Sequence, residues 1–237
     1  MLRAPVFPAS RIEAACIDLD GTLLDTIPDL AAAANAMLVD LGHDALPESL
    51  IRTFVGKGAE VLVRRTLDAA GVSGEADFAR GRTRFYANYR DVNGRHARAF
   101  DGVLDGLASL RRQRIALACV TNKPAEFVEP LLARASMLEY FDFCIGGDSL
   151  PTKKPDPGQL LEACRRFGLA PVSVAAVGDS VNDALAARAA GMTIVLVPYG
   201  YNEGRSVDTL PSDGIVGSLL EFARAIEAHH ARIRPDS

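Results

Sequence analysis

No apolar run in the sequence approaches the roughly 20 residues that a membrane-spanning helix needs, so no segment reads as a transmembrane span. The stretch from Met1 to Ile12 carries an arginine but no apolar run of about 7–15 residues behind it, and it does not read as a secretory leader. An excess of basic charge is missing as well. The formal net charge is −4, with both signs mixed along most of the chain. A weakly acidic protein has no electrostatic reason to seek a nucleic-acid backbone or an anionic membrane surface. There is no internal repeat and no low-complexity linker. The four cysteines form no C-x-x-C pair and have no histidine at metal-ligand spacing. Cys16, Cys119 and Cys144 lie in short apolar runs and Cys164 in a helical stretch, a pattern that favours small buried hydrophobes over a disulfide or a catalytic thiol. These absences point to a cytoplasmic protein, a monomer or homodimer, with neither nucleic acid nor membrane as partner.

What is present is the material of a globular protein. Hydrophobic residues make up 49% of the 237 residues, enough for one large core or a core with a smaller module. Short apolar runs alternate with helical patterns, as in strands joined by helices in a parallel sheet. The runs are Ala14–Leu19, Ile115–Val120, Phe141–Ile145, Val174–Val177 and Thr193–Val197, and each is followed by turn or polar residues. Their near-continuous apolar character predicts strands buried on both faces. From about Thr26 to Arg98 the rhythm breaks. Ile27–Leu41, Ala59–Ala70 and Glu75–Tyr89 all carry helical periodicity, punctuated by Gly42, Gly56, Gly58, Gly71 and Gly74. This stretch reads as a helical module inserted after the first strand. The tail Ala228–Ser237 reads as a fraying helix end.

Asp18-Leu19-Asp20-Gly21-Thr22 follows the first apolar run directly. Side chains alternate along a strand, so Asp18 and Asp20 are predicted to project to one side. Two carboxylates so placed repel each other unless a cation or a proton compensates; an ordinary Asp-Gly turn with one solvated Asp is the plainer alternative. Gly178-Asp179-Ser180-Val181-Asn182-Asp183 follows a second run. In a parallel sheet ligand sites lie beyond the carboxyl ends of the strands, so the two acidic sites can meet around one ion. Hard oxygen ligands suit Mg²⁺, while the plainer reading is that Asp179 or Ser180 caps the next helix. Thr121-Asn122 follows a third run, and Lys154 precedes Pro155-Asp156-Pro157. A hydroxyl, backbone N–H groups and a compact cation make a phosphate cradle. Taken singly, Thr121 could be an N-cap and Lys154 a surface lysine.

The order D-x-D-G-T, T-N, K-P-x-P and G-D-S-x-x-D resembles the haloacid dehalogenase superfamily, with all four motifs spread over nearly the whole chain. The resemblance implies a Rossmann-like, doubly wound parallel α/β core (residues 1–25 and 99–237) with an inserted α-helical cap (residues 26–98). It implies Asp18 as the nucleophile that forms an aspartyl-phosphate, and Asp20 as general acid and then base. Mg²⁺ would be held by Asp18, Asp179 and the backbone carbonyl of Asp20, with Asp183 behind them orienting a metal-bound water or Lys154. Thr121, Asn122 and Lys154 would take the phosphoryl oxygens.

Phe54-Val55-Gly56-Lys57-Gly58-Ala59, Val120-Thr121-Asn122-Lys123-Pro124 and Tyr199-Gly200-Tyr201-Asn202 are similar to segments of bacterial phosphoglycolate phosphatases. Glu203-Gly204 departs from the Tyr-Gly common there. The implied substrate is a small phosphorylated metabolite, 2-phosphoglycolate foremost. Another sugar or sugar-acid phosphate, or phosphotransfer of the β-phosphoglucomutase kind, remains the alternative. Gly56 and Lys57 in the cap are the candidates for reading the substrate's second anionic group, against an ordinary turn with a solvated lysine.

Overall fold

The computed structural model describes residues 1–233. After β1 (Ala14–Ile17) and a two-residue strand β2 (Leu24–Asp25) come four consecutive helices: α1 (Ile27–Asp40), α2 (Glu48–Arg52), α3 (Ala59–Ala69) and α4 (Glu75–Val92). The chain returns through β3 (Arg98–Ala99), α5 (Val103–Arg112), β4 (Ala116–Val120), α6 (Ala125–Arg134) and β5 (Phe143–Ile145). It continues through α7 (Gly158–Phe167), β6 (Val174–Gly178), α8 (Val181–Ala190), β7 (Thr193–Leu196), β8 (Gly214–Ile215) and α9 (Leu219–Ile233). No helix among the described residues is long and apolar enough to cross a membrane.

Six strands form one parallel sheet in the order β5-β4-β1-β6-β7-β8. β1 shows why its sequence is apolar throughout. Ala15 and Ile17 pack on one face with residues of α5, α6 and α9, including Leu107, Leu131 and Phe222. Ala14 and Cys16 pack on the other face against Leu160 of α7 and Ala184 and Ala187 of α8. Burying a large aliphatic side chain such as Ile17 contributes roughly 1.5–3 kcal/mol, and the small Ala14 and Cys16 on the other face let α7 and α8 pack close. The doubly wound α/β architecture follows directly.

Register then places the chemistry. Ile17 lies level with Cys119 of β4 and Val177 of β6, so the residues just past the three central strands emerge together at the carboxyl edge. The chain runs from β1 out to β5 on one side and from β6 to β8 on the other. β1 and β6 therefore flank the switch point where ligands bind in open sheets.

α1–α4 leave and re-enter this sheet through the antiparallel pair β2 and β3, Leu24 opposite Ala99. The helices share their own apolar cluster, built on Met37, Leu62, Phe85 and Tyr89, into which Phe127 of α6 and Tyr201 reach from the sheet side. β2, β3 and β8, two residues each, and the five-residue α2 were not legible in the sequence, because so short a segment shows no period. The first part of the tail read as a fraying end is helical. α9 continues to Ile233, with His229 Nε2 3.0 Å from the Ser10 carbonyl and His230 buried; residues 234–237 lie outside the described residues.

Candidate active site

The strand β1 stops at Ile17, so Asp18 and Asp20 do not share a side by strand alternation as the sequence suggested. A turn brings them to the same cavity instead. Gly21 sits at φ +92°, and a Cβ there would come within 2.4 Å of Asp179 Oδ2. Only glycine satisfies both the backbone and the close approach.

Lys154 is the hub. Its Nζ donates to Asp18 Oδ1 (2.7 Å), to Asp183 Oδ1 (2.6 Å) and to the Val120 carbonyl (2.8 Å), with the side chain 4% exposed. Burial disfavours its ammonium, but the Asp18 and Asp183 carboxylates outweigh that, and its pKa is raised. It is no surface lysine. Asp183 plays two parts. Its Oδ2 accepts from the Ser180 backbone N–H (3.1 Å) and hydroxyl (2.6 Å), closing a capping box at the start of α8, while Oδ1 holds Lys154. The helix-capping alternative thus applies to Ser180 and Asp183 and leaves Asp179 free of it.

Asp179 Oδ1 accepts from the Thr22 hydroxyl (3.0 Å) and Oδ2 from the Tyr201 backbone N–H (2.7 Å). One oxygen each of Asp18, Asp179 and Asp183 lie within 4.8 Å of one another. Burial first, then the neighbouring carboxylates, push Asp18 up to about 7 against the pull of Lys154. Burial, Asp183 and Asp18 likewise raise Asp179 well above the ordinary carboxylate range. Three buried carboxylates with one shared lysine leave negative charge in excess, and every free donor is a hard oxygen. The set fits a hard divalent cation.

Thr121 and Asn122 follow β4, and both line the cavity. Thr121 is not an N-cap: α6 begins after Pro124, and the Ala125 N–H is taken by Asp148 Oδ1 at 2.8 Å. The Thr121 hydroxyl oxygen accepts from the Lys123 backbone N–H at 3.2 Å. Asn122 Nδ2 donates to the Lys154 carbonyl (2.8 Å) and, across the cavity, to the Gly56 carbonyl (3.1 Å), which also accepts from Asn182 Nδ2 (3.2 Å). Gly56, at φ +117°, therefore joins the insert to the sheet edge through its backbone.

Lys57 is not where the sequence suggested. Gly56 and Gly58 line the cavity and Lys57 does not. Positive φ on both glycines turns the intervening side chain outward, where its Nζ pairs with Glu203 at 2.9 Å, beside Arg65 on the same carboxylate. Glu203 is the residue that holds Lys57 outside. Sequence reasoning also passed over Lys123. Its Nζ donates to Asp20 Oδ1 (2.9 Å) and Oδ2 (3.1 Å) beneath the Tyr89 ring, 4.8 Å from its centroid. Burial works against its charge, the Asp20 carboxylate outweighs it, and the pKa is raised. The available signal was its position directly after Thr121-Asn122. Among the cysteines, Cys119 and Cys144 stand side by side on β4 and β5, as free thiols.

The haloacid dehalogenase-like hydrolase family model matches residues 16–197. A phosphoglycolate phosphatase of Nitrosospira multiformis is 51% identical over 219 residues, 91% of this chain and 96% of the relative. One from Thiobacillus denitrificans is 44% identical over 215 residues, 90% and 94% of the two chains. The crystal structure of a predicted phosphoglycolate phosphatase from Haemophilus somnus superposes with a TM-score of 0.87 at 34% identity, covering 91% of this chain and 98% of that one. Buried carboxylates around one lysine at the switch point of the sheet agree with these likenesses, and the chain belongs to the haloacid dehalogenase-like hydrolase family.

Proposed function

We propose that this chain is a Mg²⁺-dependent phosphomonoester hydrolase that turns 2-phosphoglycolate into glycolate and phosphate through an aspartyl-phosphate on Asp18. The observation that carries the reading is the contact of Lys154 with Asp18 and Asp183 beside Asp179, at the carboxyl ends of β1, β4 and β6. Relatives that carry the phosphoglycolate phosphatase name over nearly their whole length support the substrate.

In this reading residues 1–25 and 99–237 are the catalytic core and residues 26–98 the cap. Asp18 attacks phosphorus in line, and covalent catalysis splits one displacement into two easier ones. Asp20 gives a proton to the departing oxygen and then takes one from the attacking water. Lys154, with the Thr121 hydroxyl and the backbone at Asn122, stabilises charge on the equatorial oxygens, where the protein contributes most to phosphoryl transfer. Asp183 keeps Lys154 aimed at Asp18. Mg²⁺, held by Asp18, Asp179 and the Asp20 carbonyl, would neutralise the excess carboxylate charge and orient the phosphoryl group.

The test is phosphate release from a panel of small phosphomonoesters, with and without chelator, for the wild type and Asp18→Asn. Removing a covalent nucleophile costs on the order of 10⁴–10⁶-fold in turnover. The wild type should favour 2-phosphoglycolate and stop in chelator, and the variant should be inert. Near-native release by Asp18→Asn would remove Asp18 as nucleophile, and phosphate moving between sugar positions faster than to water would favour a mutase.

A further inference from the structure

Among the described residues that line the cavity, the lysines are Lys123 and Lys154. Lys154 is fully committed, to two carboxylates and a carbonyl. Lys123 is held by a single carboxylate. Its ammonium has three donors, Asp20 takes it on both oxygens, the Tyr89 hydroxyl lies beside it, and it is 3% exposed. Of the other polar atoms lining the cavity, Asn122 Oδ1 is buried without a hydrogen bond, and Tyr89 Oη has Lys123 as its neighbour. Unpaired buried polar atoms are costly unless a ligand supplies their partners.

Asp20 has the opposite problem. Its Oδ1 accepts from Lys123 and from the Thr26 hydroxyl (2.7 Å), and its Oδ2 accepts from Lys123. A carboxyl that is to protonate a leaving oxygen needs an oxygen free to carry the proton. Asp20 presents Oδ2 fully to a leaving oxygen once Lys123 has moved off it. A buried ammonium without a counter-ion is expensive, so another anion has to receive it.

We propose that Lys123 is the specificity-determining residue of the site: its ammonium passes from Asp20 to a carboxylate on the substrate, and in doing so releases Asp20 for proton transfer. This rests on the phosphomonoesterase reading above. Because Lys123 touches Asp20, a group that reaches it must be attached within a carbon or two of the leaving oxygen. One ammonium beside one phenol hydroxyl matches the two oxygens of a planar monoanion, whereas a second phosphoryl group would be left short of donors. The substrate class is the phosphate ester of a short 2-hydroxy acid. Lys123 exchanges one carboxylate for another and keeps its proton. Asp20 picks up a proton from bulk solvent and passes it to the ester oxygen as that oxygen's bond to phosphorus breaks and the Asp18–phosphorus bond forms; it returns a proton to solvent after taking one from the water that splits the aspartyl-phosphate. Selectivity and acid catalysis are then one event.

The experiment measures the ratio of kcat/KM for 2-phosphoglycolate to that for ethyl phosphate, which has the same carbon count and no carboxylate. The wild-type ratio should stand well above one. Lys123→Met keeps the stem and removes the charge, and should lower the ratio roughly 10–150-fold, the range for losing a charged hydrogen bond. Tyr89→Phe removes a single oxygen and should lower it in the same direction by a smaller factor; it decides the matter if Lys123→Met does not fold. Ratios unchanged in both variants, with the wild type still selective, overturn the inference and leave the 2-phosphoglycolate reading standing. Equal losses on both esters in Lys123→Met, at a preserved ratio, also overturn it, since Lys123 would then merely position Asp20. A wild-type ratio near one overturns it while leaving ester hydrolysis intact. Hydrolysis of neither ester by the wild type removes the phosphatase reading and this inference with it.

Discussion

On one side of the cavity, Lys154, Asp179 and Asp183 are less than a twentieth exposed, and each side chain is tied to another charge or to a backbone group. On the other side the insert offers Leu30, Val55, Leu62, Phe85 and Tyr89, with the Gly56 carbonyl accepting from Asn122 and Asn182. The sheet edge stores negative charge that a cation can balance. The insert stores apolar surface that excludes water and strengthens every electrostatic interaction beneath it. Two cations of the insert, Lys57 and Arg65, meet Glu203 away from the cavity wall, partly exposed. The difference teaches that one wall is built for the reaction common to phosphate esters and the other for closing over it. Lys123, which belongs to the first wall and lies under Tyr89 of the second, is where they touch.

That contrast can be broken hardest at Lys154. Lys154→Met leaves Asp18 and Asp183 without their cation, and removing one partner of a buried pair costs about 3–5 kcal/mol. Chemical denaturation in Mg²⁺-free buffer should show the loss, and added Mg²⁺ should return part of it. A loss no larger than that of a surface lysine would mean the edge charges are not coupled. On the apolar side, Phe85 is wholly buried against Tyr89, with ring centroids 5.5 Å apart. Phe85→Leu should cost about 1–1.5 kcal/mol, with no dependence on Mg²⁺. A Mg²⁺-sensitive cost there would erase the distinction between the walls.

A smaller effect sharpens it by pH. The folded pKa of Asp18, about 7, lies above its unfolded value near 3.9. The folded state therefore binds this proton more tightly, and the stability it contributes is present below pH about 4 and lost as pH rises through about 7. Tm in Mg²⁺-free buffer should fall between pH 5 and pH 8. Asp18→Asn should flatten that slope, and an unchanged slope in the variant would assign it to other groups. The smallest effect belongs to Lys57→Ala. Its partly exposed pair with Glu203 is worth about 0–1 kcal/mol, and the kcat/KM ratio of 2-phosphoglycolate to ethyl phosphate should not change. A selective loss on 2-phosphoglycolate would return Lys57 to the cavity.

Much of the fold was legible because β1, β4, β6 and β7 are buried on both faces, and apolar runs followed by Asp, Thr, Gly or Pro carry that signature. Ile27–Asp40, Ala59–Ala69 and Glu75–Val92 were legible from helical periodicity, to within a few residues. The predicted first strand ran to Leu19 because the apolar alternation continues past Ile17, whereas Gly21 at positive φ bends the chain to bring Asp20 beneath the insert. Asp18, Asp20, Thr121, Asn122, Lys154, Asp179 and Asp183 stood out as polar groups just after apolar runs or within a four-motif order. Lys57 misled because two flanking glycines indicate a close backbone approach without telling which way the residue between them faces.

By itself, then, the sequence determined the layered α/β core, the helical insert after the first strand and the acidic strand ends, all of which follow from periodicity and short-range chemistry. Tertiary structure alone decided which charges meet. Lys154 reaches Asp18 across 136 positions and Lys123 reaches Asp20 across 103. Tyr201 places its backbone N–H on Asp179 and its ring in the insert's cluster. Such pairings depend on strand order, register and the direction of each turn, and a buried lysine reads in sequence like an exposed one until the fold removes water from around it.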